Sequence, residues 1–223
     1  MALSKAAQEI GNYLQKKFQG DFSGKTYIAF DISSSGTGWS IWRLKKNRTG
    51  RYVKGGVICP KGETAKDRFP EMANGILSII SEENPDFIIS EQMFFRKSFD
   101  SIEYPLKLHG IEEYAASIAN IPDLPIVTST WRSVCGFENN LTLGKKKNMT
   151  GKEKDAYYKT SSIRLSSDVT QKEIIDDNHA DSICIGYATS LIIKNIVQYA
   201  QKNEKNSKRK SKNAEILKKK VKK

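Results

Sequence analysis

Two apolar runs in this chain end on a carboxylate, and that pattern restricts the fold more than any other feature. The first is Lys25-Thr-Tyr-Ile-Ala-Phe-Asp31 and the second is Asp86-Phe-Ile-Ile-Ser-Glu91. Both favour strands, and the second is apolar in the continuous manner of a strand covered on both faces. An ionised acid at the end of a buried strand must be paired or bind a metal, because burying it alone is strongly unfavourable.

The residues around these runs predict the rest of the fold. Trp39-Ser-Ile-Trp-Arg-Leu44 and Arg51-Tyr-Val-Lys-Gly-Gly-Val-Ile58 flank a turn at Asn47–Gly50, so the first three strands form an antiparallel meander. The hydrophobic period then changes. Phe69, Met72, Ile76, Ile79 and Ile80 mark a helix closed before Pro85. Further helices are expected over 99–119, 130–134, near 152–165 and over 177–200, with a fifth strand at Pro125–Thr128. Segment 138–151 reads as a loop. Ile10, Leu14 and Phe18 indicate a short helix within 5–18, packed on the domain edge. Right-handed crossovers turn this order into an α/β fold. It is a mixed five-stranded sheet, three antiparallel strands then parallel ones, with helices on both faces. The expected organisation is an N-terminal helix and linker at 1–24, one domain at 25–201, and a basic tail at 202–223.

Charge is concentrated in two places. The chain has 223 residues and a formal net charge of +12. Residues 202–223 hold eleven Lys or Arg against two Glu, and 145–159 hold six Lys against Glu153 and Asp155. The remainder is close to neutral, which excludes a uniformly basic protein and suggests a globular domain with two basic attachments. The tail lacks aromatics and is expected to be disordered. Cys59, Cys135 and Cys184 are scattered without CxxC spacing, which argues for a reducing compartment and against a disulfide frame or zinc site. No apolar run approaches a bilayer-spanning length and no signal-peptide core is visible, so a cytoplasmic protein without membrane association is expected.

Four acids are candidates for chemistry. Asp31 and Glu91 would meet if the first and fourth strands were neighbours. Asp177 and Asp181, four apart near the start of the last helix, would face the same way. Such a cluster calls for a hard divalent cation, and oxygen donors without Cys favour Mg²⁺ or Mn²⁺. Each acid also has a plainer role as a turn or cap acceptor. His179 is either a metal ligand, a proton shuttle or a residue of another helix face, and His109 reads as an ordinary helix residue. Gly36-Thr-Gly38 is followed by a strand, so it is no P-loop, although a glycine turn suits close approach of a phosphate backbone.

Asp31-Ile-Ser-Ser-Ser-Gly-Thr-Gly-Trp39, Glu91-Gln-Met-Phe-Phe-Arg-Lys97 and His179-Ala-Asp-Ser-Ile-Cys-Ile-Gly186 resemble, in order and spacing, three motifs of the RuvC-type Holliday-junction resolvases. These enzymes have a ribonuclease H-like fold, and the resemblance spans roughly residues 25–195. It implies that Asp31, Glu91 and Asp181 are metal-binding catalytic carboxylates. The fourth ligand falls at Asn178 in the family pattern, with Asp177 one residue earlier as the alternative. Phe94 corresponds to the aromatic that wedges or stacks at the junction centre, or else it is a plain buried Phe. Lys152, Lys154 or Lys159 would meet the scissile phosphate, and Lys97 and Arg132 are further expected DNA contacts.

The implied activity is resolution of four-way DNA junctions by Mg²⁺- or Mn²⁺-dependent phosphodiester hydrolysis, with two ions per site and Asp31 bridging them. Paired symmetric nicks imply a homodimer acting in recombination and repair, with no small-molecule cofactor. A related nuclease cutting forks, flaps or RNA–DNA hybrids is the main alternative. A non-catalytic basic nucleic-acid-binding protein is the other. A phage or another mobile element would suit the composition.

Overall fold

The structure, a computed structural model, describes residues 3–45, 49–93, 99–138 and 149–198. Five strands form one sheet in the order β3-β2-β1-β4-β5. They are β1 (Thr26–Asp31), β2 (Thr37–Leu44), β3 (Gly50–Ile58), β4 (Phe87–Glu91) and β5 (Asp123–Ile126). β1 pairs antiparallel with β2 and parallel with β4, while β3 and β5 form the edges. The mixed α/β sheet expected from the sequence is therefore the one observed. The central position of β1 makes Asp31 and Glu91 neighbours, because the register pairs Phe30 with Ser90 immediately before them.

Six helices occur among the described residues: α1 (Lys5–Lys17), α2 (Ala65–Glu83), α3 (Phe99–Ile118), α4 (Thr128–Val134), α5 (Gly151–Thr170) and α6 (Asp177–Gln198). Local chemistry fixes several of their ends. Thr64 and Asp67 form a capping box at the start of α2, and Thr150 and Glu153 form one at α5. Asn84 stops α2 in the left-handed conformation.

Strand alternation sends side chains to two separate cores. Ile28, Phe30, Ile41 and Ile88 meet α2 and α3 on one face. Tyr27, Ala29, Trp42, Phe87 and Ile89 meet α1, α4, α5 and α6 on the other. Asp31 and Glu91 continue this second series, so both carboxylates are presented toward α4 and α6. α1 lies against α6, where Gly11 leaves room for Ile192 and Ile196.

Two expectations need correction. β5 and α4 both begin two residues early, at Asp123 and Thr128. Pairing of Ile88 with Asp123 sets that register, and Pro125 is tolerated because β5 is an edge. Secondly, α6 is long and apolar enough to cross a membrane by composition, contrary to the sequence reading, but 67% of its apolar window is buried as the central core helix.

A candidate metal centre at the carboxyl ends of β1 and β4

Two hydrogen bonds seat α6 on the sheet, and a third, within β2, orients one of their donors. Tyr27 donates its hydroxyl to the Gly186 carbonyl at 2.7 Å, and Ser40 donates to the Ser182 carbonyl at 2.8 Å. The Trp42 indole donates to Ser40 Oγ at 3.0 Å. Glycine permits the close approach. A Cβ on Gly38, which pairs with Asp31 across the β1–β2 ladder, would lie 1.9 Å from the Asn178 carbonyl oxygen. One on Gly186 would lie 2.0 Å from Trp42 Nε1. Gly38 therefore makes room for the protein's own helix, not for a phosphate backbone as the sequence suggested.

This seating brings Asp181 to the strand ends. Loss of hydration raises the Asp31 pKa well above the carboxylate range, and the negative charges of Glu91 and Asp181 raise it further. Arg132 opposes them, and Asp177 adds a smaller upward push. Asp181 is pushed up to about 6, first by burial and then by Glu91, while Ser162 and Arg132 pull it down. Its Oδ1 is buried without a hydrogen-bond partner. Glu91 is held differently, accepting from Thr128 Oγ1 at 2.6 Å and Trp131 Nε1 at 2.7 Å.

Arg132 stacks over the Tyr158 ring, 4.2 Å from its centroid, and over Trp131 at 5.0 Å. It lines a groove of about 800 Å³ together with Asp31, Ser33, Ser34, Glu91 and Tyr158. The groove thus combines acids for a cation with one fixed guanidinium.

The other expected residues separate into groups. Asp177 forms an ion pair with Lys159, which holds the Asp177 carboxyl below its usual range. Asn178 is placed against the β1–β2 turn, its amide nitrogen beside Gly36. His179 faces β3, with Nε2 3.4 Å from the Tyr52 hydroxyl and close to Gly55, and burial lowers its pKa. Lys152 and Lys159 are exposed on α5, and Lys154 is half-buried there. Phe94, Lys97, the lysines at 145–147 and the tail lie outside the described residues.

Among the described residues, no three acidic, imidazole or thiol groups form a ready metal shell. The donor set nevertheless suits a hard divalent cation. Glu91 raises the pKa of both Asp31 and Asp181, Asp181 adds to the rise at Asp31, and the buried Asp181 Oδ1 has no partner. Sequence reasoning missed Thr128, Trp131 and Ser162. For Trp131 a signal existed, since a buried indole N–H requires an acceptor.

No protein-family model matches the chain, and a search of curated proteins finds no relative. Solved structures do match. Thermus thermophilus RuvC in complex with a Holliday-junction substrate superposes with a TM-score of 0.56 at 13% identity, over 74% of this chain and 93% of the other. A second structure of that RuvC gives 0.54 at 13% identity, with the same coverage. The yeast mitochondrial Holliday-junction resolvase Ydc2 gives 0.49 at 14% identity, over 90% of this chain and 96% of the other. With its β3-β2-β1-β4-β5 sheet and the two RuvC superpositions, this chain has the ribonuclease H-like fold of the RuvC-type resolvases.

Proposed function

We propose that the protein is a structure-selective DNA endonuclease that resolves four-way junctions by divalent-metal-dependent phosphodiester hydrolysis. The observation that carries this reading is the convergence of Asp31, Glu91 and Asp181 at the ends of β1 and β4, where Glu91 disfavours ionisation of both aspartates and Asp181 that of Asp31. A fold with this centre and two basic attachments has the parts needed to hold a phosphodiester and a cation together.

Asp31, Glu91 and Asp181 would hold Mg²⁺ or Mn²⁺, two ions being the expected number, with Asp177 or Asn178 as a fourth donor. The bound metal would activate water and neutralise developing phosphate charge. Thr128 and Trp131 orient Glu91, while Arg132 offers its guanidinium to phosphate from an aromatic platform. Lys152, Lys154 and Lys159 on α5 would bind the DNA backbone, as would Phe94 and Lys97 at the branch. Paired nicks call for a two-fold homodimer. DNA recombination and repair in the cytoplasm of a bacterial or phage-infected cell is the setting this reading implies.

Asp31→Asn and Glu91→Gln test the proposal on synthetic four-way junctions with Mg²⁺. Both should abolish cleavage yet retain binding, because they remove metal donors and negative charge while leaving every basic contact. Wild-type cleavage by either variant would sink it.

A further inference from the structure

We propose that Trp131 and Thr128 on α4 are positioning residues for the metal centre, fixing the Glu91 carboxylate so that metal affinity depends on this helix. The inference rests on the metal-dependent reading above and extends it to residues that act on the metal through Glu91.

Thr128 and Trp131 are three apart and so share a face of α4. Each donates to a different Glu91 oxygen, at 2.6 and 2.7 Å. Both distances lie within the range for a donor meeting a charged acceptor. An indole has a single donor and no acceptor, so the Trp131 side chain has one polar task. Its ring is fully buried and packs edge-to-face on Phe137 at 6.1 Å, which leaves it little freedom to turn away. Thr128 is half-buried and lies forward on the same helix.

The two donors satisfy one lone pair on each oxygen and leave the other available. Glu91 is therefore held in one orientation before any cation arrives. Asp181 differs, since its Oδ1 has no partner. The same helix places Arg132 within electrostatic reach of Asp31 and Asp181, so α4 governs both the geometry and the charge of the centre. Partners of this kind that orient a ligand typically change metal affinity by about 10–100-fold when removed.

The test is calorimetric titration of Mn²⁺ into the full chain without DNA, for wild type, Thr128→Val, Thr128→Ser and Trp131→Phe. Thr128→Val should weaken Mn²⁺ binding by about 10–100-fold, and Thr128→Ser, which restores the hydroxyl, should recover it. Junction affinity in EDTA should be the same for all four. Indole fluorescence gives a second readout, because Mn²⁺ should perturb the wild-type emission and leave that of Trp131→Phe unchanged. Wild-type Mn²⁺ affinity in Thr128→Val would overturn the inference, as would failure of Thr128→Ser to recover it. Absence of Mn²⁺ binding in the wild type would instead overturn the metal-dependent reading itself.

Discussion

A Cβ on Gly38 would sit 1.9 Å from the carbonyl oxygen of Asn178, so the backbone of β2 and the start of α6 touch where only glycine fits. Asp31 pairs with Gly38 and Asp181 lies one turn beyond Asn178. The spacing of the acidic centre is thus set by this contact. Gly38→Ala should displace α6, lower stability by about 1–3 kcal/mol through overpacking, and reduce cleavage about 100-fold by misplacing Asp181. Thermal denaturation and single-turnover cleavage measure the two effects. A stable, fully active Gly38→Ala would mean that α6 is not seated this way.

A buried acid behind the site predicts how stability varies with pH. Glu112 on α3 is fully buried, 3.2 Å from His109 Nδ1, and burial raises its pKa from an ordinary 4.5 to about 8. Asp123, raised to about 7 by burial and then by Glu112, acts in the same direction. Between pH 4.5 and 8 the folded chain keeps a proton at Glu112 that the unfolded chain has lost, so stability falls as pH rises across that window. Glu112→Gln removes this proton linkage. It should flatten the slope and stabilise the protein at pH 8 by about 2–4 kcal/mol. Denaturant titrations from pH 5 to 8.5 would refute this if the two profiles ran parallel.

Lys159 and Asp177 form an ion pair between α5 and α6, with the lysine largely exposed. An exposed pair contributes little, so Lys159→Met should change stability by less than about 1 kcal/mol. Junction binding should respond more. If Lys159 meets phosphate, the slope of log affinity against log salt should fall by about one, and affinity should drop for all branched substrates alike. An unchanged slope would remove Lys159 from the interface.

The tail, with eleven basic and two acidic residues in 202–223, predicts a larger effect of the same kind. Deleting it should weaken DNA binding and flatten its salt dependence by several ions, while cleavage at saturating protein is unchanged. Gel-shift titrations at several salt concentrations, with cleavage assays alongside, measure both. Loss of cleavage at saturation would give the tail a role in the chemistry.

The strand-end acids were legible in the sequence because each closes an apolar run whose period fixes its face. Asp181 was legible because it lies near the start of an apolar helix and falls in a motif. The supports were hidden. Thr128 and Trp131 lie about forty residues from Glu91, and only the β4–β5 register brings them together. Asn178 matched the ligand position by spacing, yet its amide rests against Gly36, an orientation set by packing on the β1–β2 turn. β5 slipped by two residues because a four-residue edge strand carries too little periodicity to fix its own ends. The charge of +12 was plain in the sequence, whereas the upward push of Glu91 on Asp31 and Asp181 emerges only when the sheet closes.

The most direct measurement is to map the cuts made by the wild type and Asp31→Asn on a mobile four-way junction with Mg²⁺. The wild type should make paired nicks at symmetric positions in opposing strands, and Asp31→Asn should bind the junction and make none. Absence of nicking by the wild type with either Mg²⁺ or Mn²⁺, or equal nicking by Asp31→Asn, would contradict a junction-resolving metal centre at Asp31, Glu91 and Asp181.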